Sequence, residues 1–194
     1  MMLRSLIIAA LGLMVAACVS PNRAGTTPPP PPPNSDFSQS GTVDAVENWL
    51  GVSAETAGTL VERAFGDLGE PVGYIYGEEA SGAIGAGLRY GAGTLVMEDG
   101  RQMAVYWQGP SIGWDLGANA SKTFTLVYGL QNTDRLYQRF PGVEGTAYLV
   151  GGVGANYQRA DEITLVPMRA GVGARLGANV GYLAYSREAR VVPF

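Results

Sequence analysis

The chain has no histidine, one cysteine and one lysine in 194 residues, and each shortage removes a class of chemistry. Without histidine there is no Ser-His-Asp or Cys-His relay and no imidazole ligand for a metal. With Cys18 as the sole cysteine, neither an intrachain disulfide nor a cysteine cage for zinc can be built. Charge is scarce as well: 15% of residues are charged and the net charge is −4, against a usual charged share of about a quarter. A lightly charged, net-acidic chain with Lys122 as its only lysine argues against nucleic acid as a partner. Beyond the first segment no apolar run reaches the roughly 18 residues that mark a membrane-crossing helix. Glycine, in contrast, is abundant, at 28 residues, about twice its average share of roughly 7%.

The first 17 residues read as a signal peptide: Arg4 in a short charged start, an apolar run from Leu6 to Val15, and small residues at a cut site. Val15-Ala16-Ala17-Cys18 resembles the lipobox of bacterial lipoproteins, in which cleavage precedes the cysteine and the cysteine carries lipid. The alternative is an ordinary secretory signal with an incidental cysteine, but an odd thiol in an exported chain calls for an explanation, and lipidation at Cys18 supplies one. Residues 18–41 then form a stalk, with seven of the twelve prolines between Pro21 and Pro33. Such a run adopts extended polyproline II and spaces the anchor from the domain; a proline-recognition ligand is the other use of the same composition. The folded domain is expected over 42–194. Val19 and Ser20 offer no acidic retention signal, so the expected location is the periplasm, lipid-anchored, with the outer membrane favoured.

From Ser53 the apolar residues Ala57, Leu60, Val61, Ala64, Phe65 and Leu68 recur at helical spacing, capped by Ser53 and stopped by Gly69 and Pro71. A shorter helix is expected from about Val43 to Leu50. The polar face of the longer helix is rich in acidic residues, which opposes a membrane-surface role and fits packing on a sheet. After Pro71 the period becomes two. Met103, Val105 and Trp107 alternate with polar neighbours, as do Phe124, Leu126 and Tyr128 with Thr123 and Thr125, and Ile163 and Leu165 with Thr164, predicting half-buried strands. Asp99-Gly100 marks a hairpin turn between strands ending near Met97 and starting at Arg101. Thr133 to Phe140, stopped by Pro141-Gly142, reads as a short helical insertion. Twenty-one glycines lie between Gly73 and Gly181, where they mark bulges, bends or close backbone approach. The expected fold is mainly β: a small glycine-rich antiparallel β-barrel with an N-terminal amphipathic helix.

No constellation of catalytic residues emerges, and no cofactor or metal is expected. Gly171-Val172-Gly173-Ala174-Arg175-Leu176-Gly177 superficially matches a dinucleotide fingerprint but lacks the strand-to-helix context. Glu78-Glu79 and Asp161-Glu162 offer carboxylates, yet neighbours on a strand point to opposite faces, so a carboxylate-based cell-wall hydrolase would need one member of each pair to converge. Ser121-Lys122 fails as a dyad for the same reason. Met103, Val105, Trp107, Phe124, Leu126 and Tyr128 are the candidate apolar residues, as a filled barrel core or as the lining of a partly open mouth for an acyl chain. An integral outer-membrane barrel is a further alternative, weakened by Ser186, Arg187, Glu188, Arg190 and Pro193 interrupting the last segment.

The runs Tyr74-Ile75-Tyr76-Gly77-Glu78-Glu79, Gly87-Leu88-Arg89-Tyr90-Gly91, Trp107-Gln108-Gly109-Pro110-Ser111-Ile112-Gly113, Arg139-Phe140-Pro141-Gly142-Val143-Glu144-Gly145 and Leu176-Gly177-Ala178-Asn179-Val180-Gly181-Tyr182 resemble the EipA family of bacterial periplasmic proteins. The likeness spans about Ser53 to Phe194. It implies a small antiparallel β-barrel, a role in cell-envelope integrity and no established enzymatic activity, with a more distant likeness to SYLF lipid-binding domains. The functional expectation is a lipid-anchored, non-enzymatic module whose partners are the membrane, through Cys18, and a lipid or other apolar envelope component.

Overall fold

The computed structural model describes residues 36–170 and 181–190, with the side chains of 81–86 and 111–120 outside the description. The signal peptide, Cys18, the stalk up to residue 35, the glycine run 171–177 and the C-terminal Pro193 and Phe194 therefore lie outside the described residues. Two helices lead the fold. Helix α1 (Gln39–Leu50) is capped by the Ser38 hydroxyl, which accepts from the Gly41 N–H. Helix α2 (Ala54–Leu68) is capped by Ser53 through the Thr56 N–H, and the Gly69 N–H closes its last turn on the Phe65 carbonyl. The second helix matches its expected bounds. The first begins earlier than expected, so Phe37 and Gly41 to Thr42, assigned to the stalk or its edge, are buried in the domain.

Among the described residues an antiparallel sheet of eight strands follows, β1 (Gly73–Met97), β2 (Gln102–Tyr128), β3 (Arg139–Pro141), β4 (Tyr148–Val150), β5 (Val153–Ala155), β6 (Gln158–Ala160), β7 (Ile163–Ala170) and β8 (Tyr182–Ser186), in the order β3-β8-β2-β7-β5-β4, with β1 beside β2 and β6 beside β7. Strands β1 and β2 form one long hairpin. It turns at Asp99-Gly100, where Gly100 has φ 84°, the left-handed conformation that such turns require. The central strand β2 pairs at one end with β8 and at the other with β7. Four three-residue strands, β3 to β6, complete the sheet. The expected helix over 133–140 is a single 3₁₀ turn, Thr133–Leu136. Phe140 leaves it because pairing with Leu183 on β8 puts its ring into the core, a tertiary gain that outweighs local helical preference.

The hairpin bends until its start lies across its own end. A Cβ on Gly77 would fall 2.6 Å from the Gly93 Cα, and the Glu98 N–H donates to the Val72 carbonyl at 3.0 Å. The sheet thus curls into a barrel-like shell that separates two apolar clusters. Ile75, Leu95, Val105, Trp107, Val127, Leu165 and Leu183 fill the inside. Tyr74, Tyr76, Phe124, Leu126, Tyr128, Val166 and Met168 face outward, beneath α1 and α2.

Of the strands expected to be half-buried, the stretch from Met103 to Trp107 is so, with Ala104 exposed and Val105 and Trp107 buried, but two are covered on both faces: every residue from Thr123 to Tyr128 and from Ile163 to Met168 is buried. The indole N–H of Trp49 donates to the Thr123 carbonyl at 2.8 Å, and its ring meets Tyr76 edge-on at 5.1 Å. Trp49→Phe keeps the ring contact and removes that buried hydrogen bond, a loss of about 0.5–1.5 kcal/mol. Urea unfolding is expected to show a lower midpoint with an unchanged slope. Among the described residues no helix is long and apolar enough to cross a membrane.

Candidate functional site

At one end of the barrel interior the apolar filling gives way to charge. Along β1, Ile75, Gly77 and Glu79 share one face, and further on Leu95, Gly93, Gly91 and Arg89 share the corresponding face. Along β7, Leu165 and Arg169 do the same. The curl of the hairpin brings Glu79, Arg89 and Arg169 together. The Arg169 Nε donates to Glu79 Oε1 at 3.2 Å, and an Arg89 terminal nitrogen lies 3.6 Å from the same oxygen. The second carboxylate oxygen, Oε2, accepts from the Trp107 indole N–H at 2.9 Å.

A shell of polar groups surrounds this core. The other end of the Arg169 guanidinium donates to the buried Asn156 Oδ1 at 3.1 Å. Tyr185 on β8 sits against Trp107 and hydrogen-bonds with Thr125, within the field of all three charged groups.

Electrostatics decide what this arrangement can do. Burial alone would raise the Glu79 pKa, but Arg169 and Arg89, with the Trp107 hydrogen bond, outweigh it and hold the carboxyl below its ordinary value. A carboxylate kept ionised in this way is a poor proton donor or acceptor near neutral pH, where a general acid or base is most effective. Burial lowers the Arg89 pKa, and repulsion from Arg169 adds to that. Burial likewise pushes the Tyr185 phenol well above its ordinary value. Among the described residues two guanidiniums face one carboxylate, so these three groups together carry a net positive charge. Access is graded: the Glu79 side chain is 4% exposed, that of Arg169 14% and that of Arg89 24%. The Nε–H of Arg89 is buried and, among the described residues, has no hydrogen-bond partner.

The six apolar candidates are placed in two groups that do not share one lining. Val105 and Trp107, with partly buried Met103, face the barrel interior. Phe124, Leu126 and Tyr128 face the helices instead, while Thr123 and Thr125 point inward. The carboxylate pairs also divide. Glu78 is exposed on the opposite face from Glu79, and Asp161 and Glu162 are exposed at the turn before β7, both paired with Arg135. Lys122 lies over the Trp49 ring and Ser121 reaches the Glu79 carbonyl, so they form no dyad. Among the described residues no group of three acidic, cysteine or histidine side chains is placed to hold a metal ion.

Sequence reasoning passed over Arg89, Arg169, Asn156 and Tyr185 as site residues. A signal was present, since Glu79 and Arg169 each put a charge on the phase of the alternation that Ile75 and Leu165 mark as interior.

Taken together, the curled sheet, its helical cover and its charged interior define a small barrel-like β domain of one compact type. A solved structure of the same type, described as a β-barrel-like, uncharacterized protein from Brucella abortus, aligns with a TM-score of 0.74 at 42% identity, covering 83% of this chain and 100% of that one. The family model of Envelope integrity protein A, EipA, matches residues 35–194, and the chain belongs to that family. A search of the curated proteins returns no match.

Proposed function

We propose that this envelope-integrity protein is a lipid-anchored, non-enzymatic module that holds a lipid or other apolar envelope component at the periplasmic face of the outer membrane. The observation that carries the reading is the division of the chain at residue 35. The family match begins there, and the residues before it read as an export signal, the lipobox-like Val15-Ala16-Ala17-Cys18 and a proline spacer. An acyl group adds about 0.8 kcal/mol of membrane affinity per buried methylene, so an acylated Cys18 keeps the domain at the bilayer without a spanning segment. The placement of Glu79 supports a binding role over a hydrolytic one, because its two arginine partners hold it ionised. The helical cover over Tyr74, Phe124 and Leu126 supports a domain hung from a membrane over a barrel threaded through one.

Metabolic labelling with an alkynyl palmitate tests the anchor: the wild-type chain is expected to take up label, and a Cys18→Ala chain that still does so would overturn it. Native mass spectrometry for co-purifying lipid, run beside a peptidoglycan digestion assay, tests the module. Muropeptide release that disappears in Glu78→Gln or Asp161→Asn would establish the hydrolase instead.

A further inference from the structure

We propose that Arg89 and Arg169 form a recognition site for a singly charged phosphodiester, with Glu79 as the residue that positions both guanidiniums. The inference deepens the binding role proposed above by naming the headgroup chemistry, and it rests on that reading. Three observations support it. First, among the described residues the charges do not balance: two guanidiniums meet one carboxylate, and a single additional negative charge brings these three groups to neutrality. A buried surplus charge is costly unless it finds a counter-ion.

Second, hydrogen-bonding capacity is left over. The Nε–H of Arg89 is buried without a partner among the described residues, and Arg89 holds Glu79 at 3.6 Å, looser than the 3.2 Å of Arg169. A guanidinium fork with free donors matches the geometry of phosphoryl oxygens. Third, the cluster stands where burial falls away. Along β1, Leu95 is fully buried while Gly93, Gly91 and Arg89 are half-buried, and on β7 the buried run ends at Met168, one residue before Arg169. Of the three charged side chains, that of Arg89 is the most exposed, at 24%.

The same oxygens come from a membrane phospholipid or from free phosphate, and the experiment separates them. Trp107 donates directly to Glu79, so tryptophan fluorescence reports on the cluster. The full-length protein in non-ionic detergent is titrated at constant ionic strength with short-chain phosphatidylglycerol, short-chain phosphatidylcholine and inorganic phosphate. The expected result is a saturable change with phosphatidylglycerol, at least ten-fold tighter than with phosphatidylcholine. Arg89→Gln should abolish that preference and Arg89→Lys retain part of it, with thermal midpoints near that of the wild type. A response to inorganic phosphate alone would keep the anion site and remove the lipid. Equal binding of the two phospholipids, unchanged in Arg89→Gln, would keep the lipid-binding module and overturn this proposal. No response to any of the three would overturn both.

Discussion

A Gly93→Ala chain is expected to lose most of its stability, because the added methyl group would be driven into backbone that cannot turn aside. A Cβ there lands on the Tyr76 carbonyl and 2.9 Å from the Gly77 Cα. Side chains that overfill a core can rotate, and the usual cost of overpacking is about 1–3 kcal/mol. Here the two crossing halves of the hairpin must separate, so the loss is expected at about 3 kcal/mol or above. That is a large share of the roughly 5–15 kcal/mol by which domains are stable. Denaturant unfolding measures it. The control is Gly58→Ala in α2, where a Cβ meets nothing within 4 Å; removing a mid-helix glycine should stabilise by about 0.5–1 kcal/mol. A Gly93→Ala protein as stable as the wild type would mean that the two halves do not touch.

The second large effect concerns Glu79. Glu79→Ala leaves two guanidiniums facing each other at the end of the barrel interior and orphans the Trp107 indole N–H. Breaking a buried ion cluster by removing one partner costs about 3–5 kcal/mol. The loss has a pH signature of fixed sign. Because the folded-state pKa of Glu79 lies below its ordinary value of 4.5, its contribution is fully present above that value and disappears as pH falls through the lower folded-state pKa. The gap in unfolding free energy between wild type and Glu79→Ala should therefore be wide at pH 7 and narrow as pH is lowered below about 4.5. A gap that stays constant with pH would show that Glu79 contributes packing and no charge pairing.

Local signals were legible where the physics is local. Ser53, the apolar positions from Ala57 to Leu68 and Gly69 define α2 without reference to the rest of the chain, and Asp99-Gly100 defines the hairpin turn in the same way. The family, too, could be read from runs such as Trp107 to Gly113.

Which face of a strand is interior was not legible. Around Phe124 the apolar and polar residues alternate correctly, but alternation distinguishes two faces without assigning them. Here Thr125 points into the barrel while Phe124 lies under the helices. Nor could Thr133 to Phe140 reveal that Leu183, far along the chain, would draw Phe140 into a strand. The ion cluster was legible only in part: Glu79 and Arg169 each put a charge on the apolar phase of their strand, but they are 90 residues apart and nothing between them announces the pairing.

The crossing of the hairpin over itself also bears on how quickly the shell can form. Gly77 and Gly93, the two contact points, belong to one strand, and every pairing between β1 and β2 radiates from a single turn. The entropy lost in closing a loop grows only slowly with its length, but distant contacts must wait until it has been lost. A barrel sealed by joining its first and last strands would need the whole chain to be present. In this protein the decisive contact spans a short loop, so the curl can be set by zipping outward from Asp99-Gly100, and β7 and β8 then add to a surface whose curvature already exists.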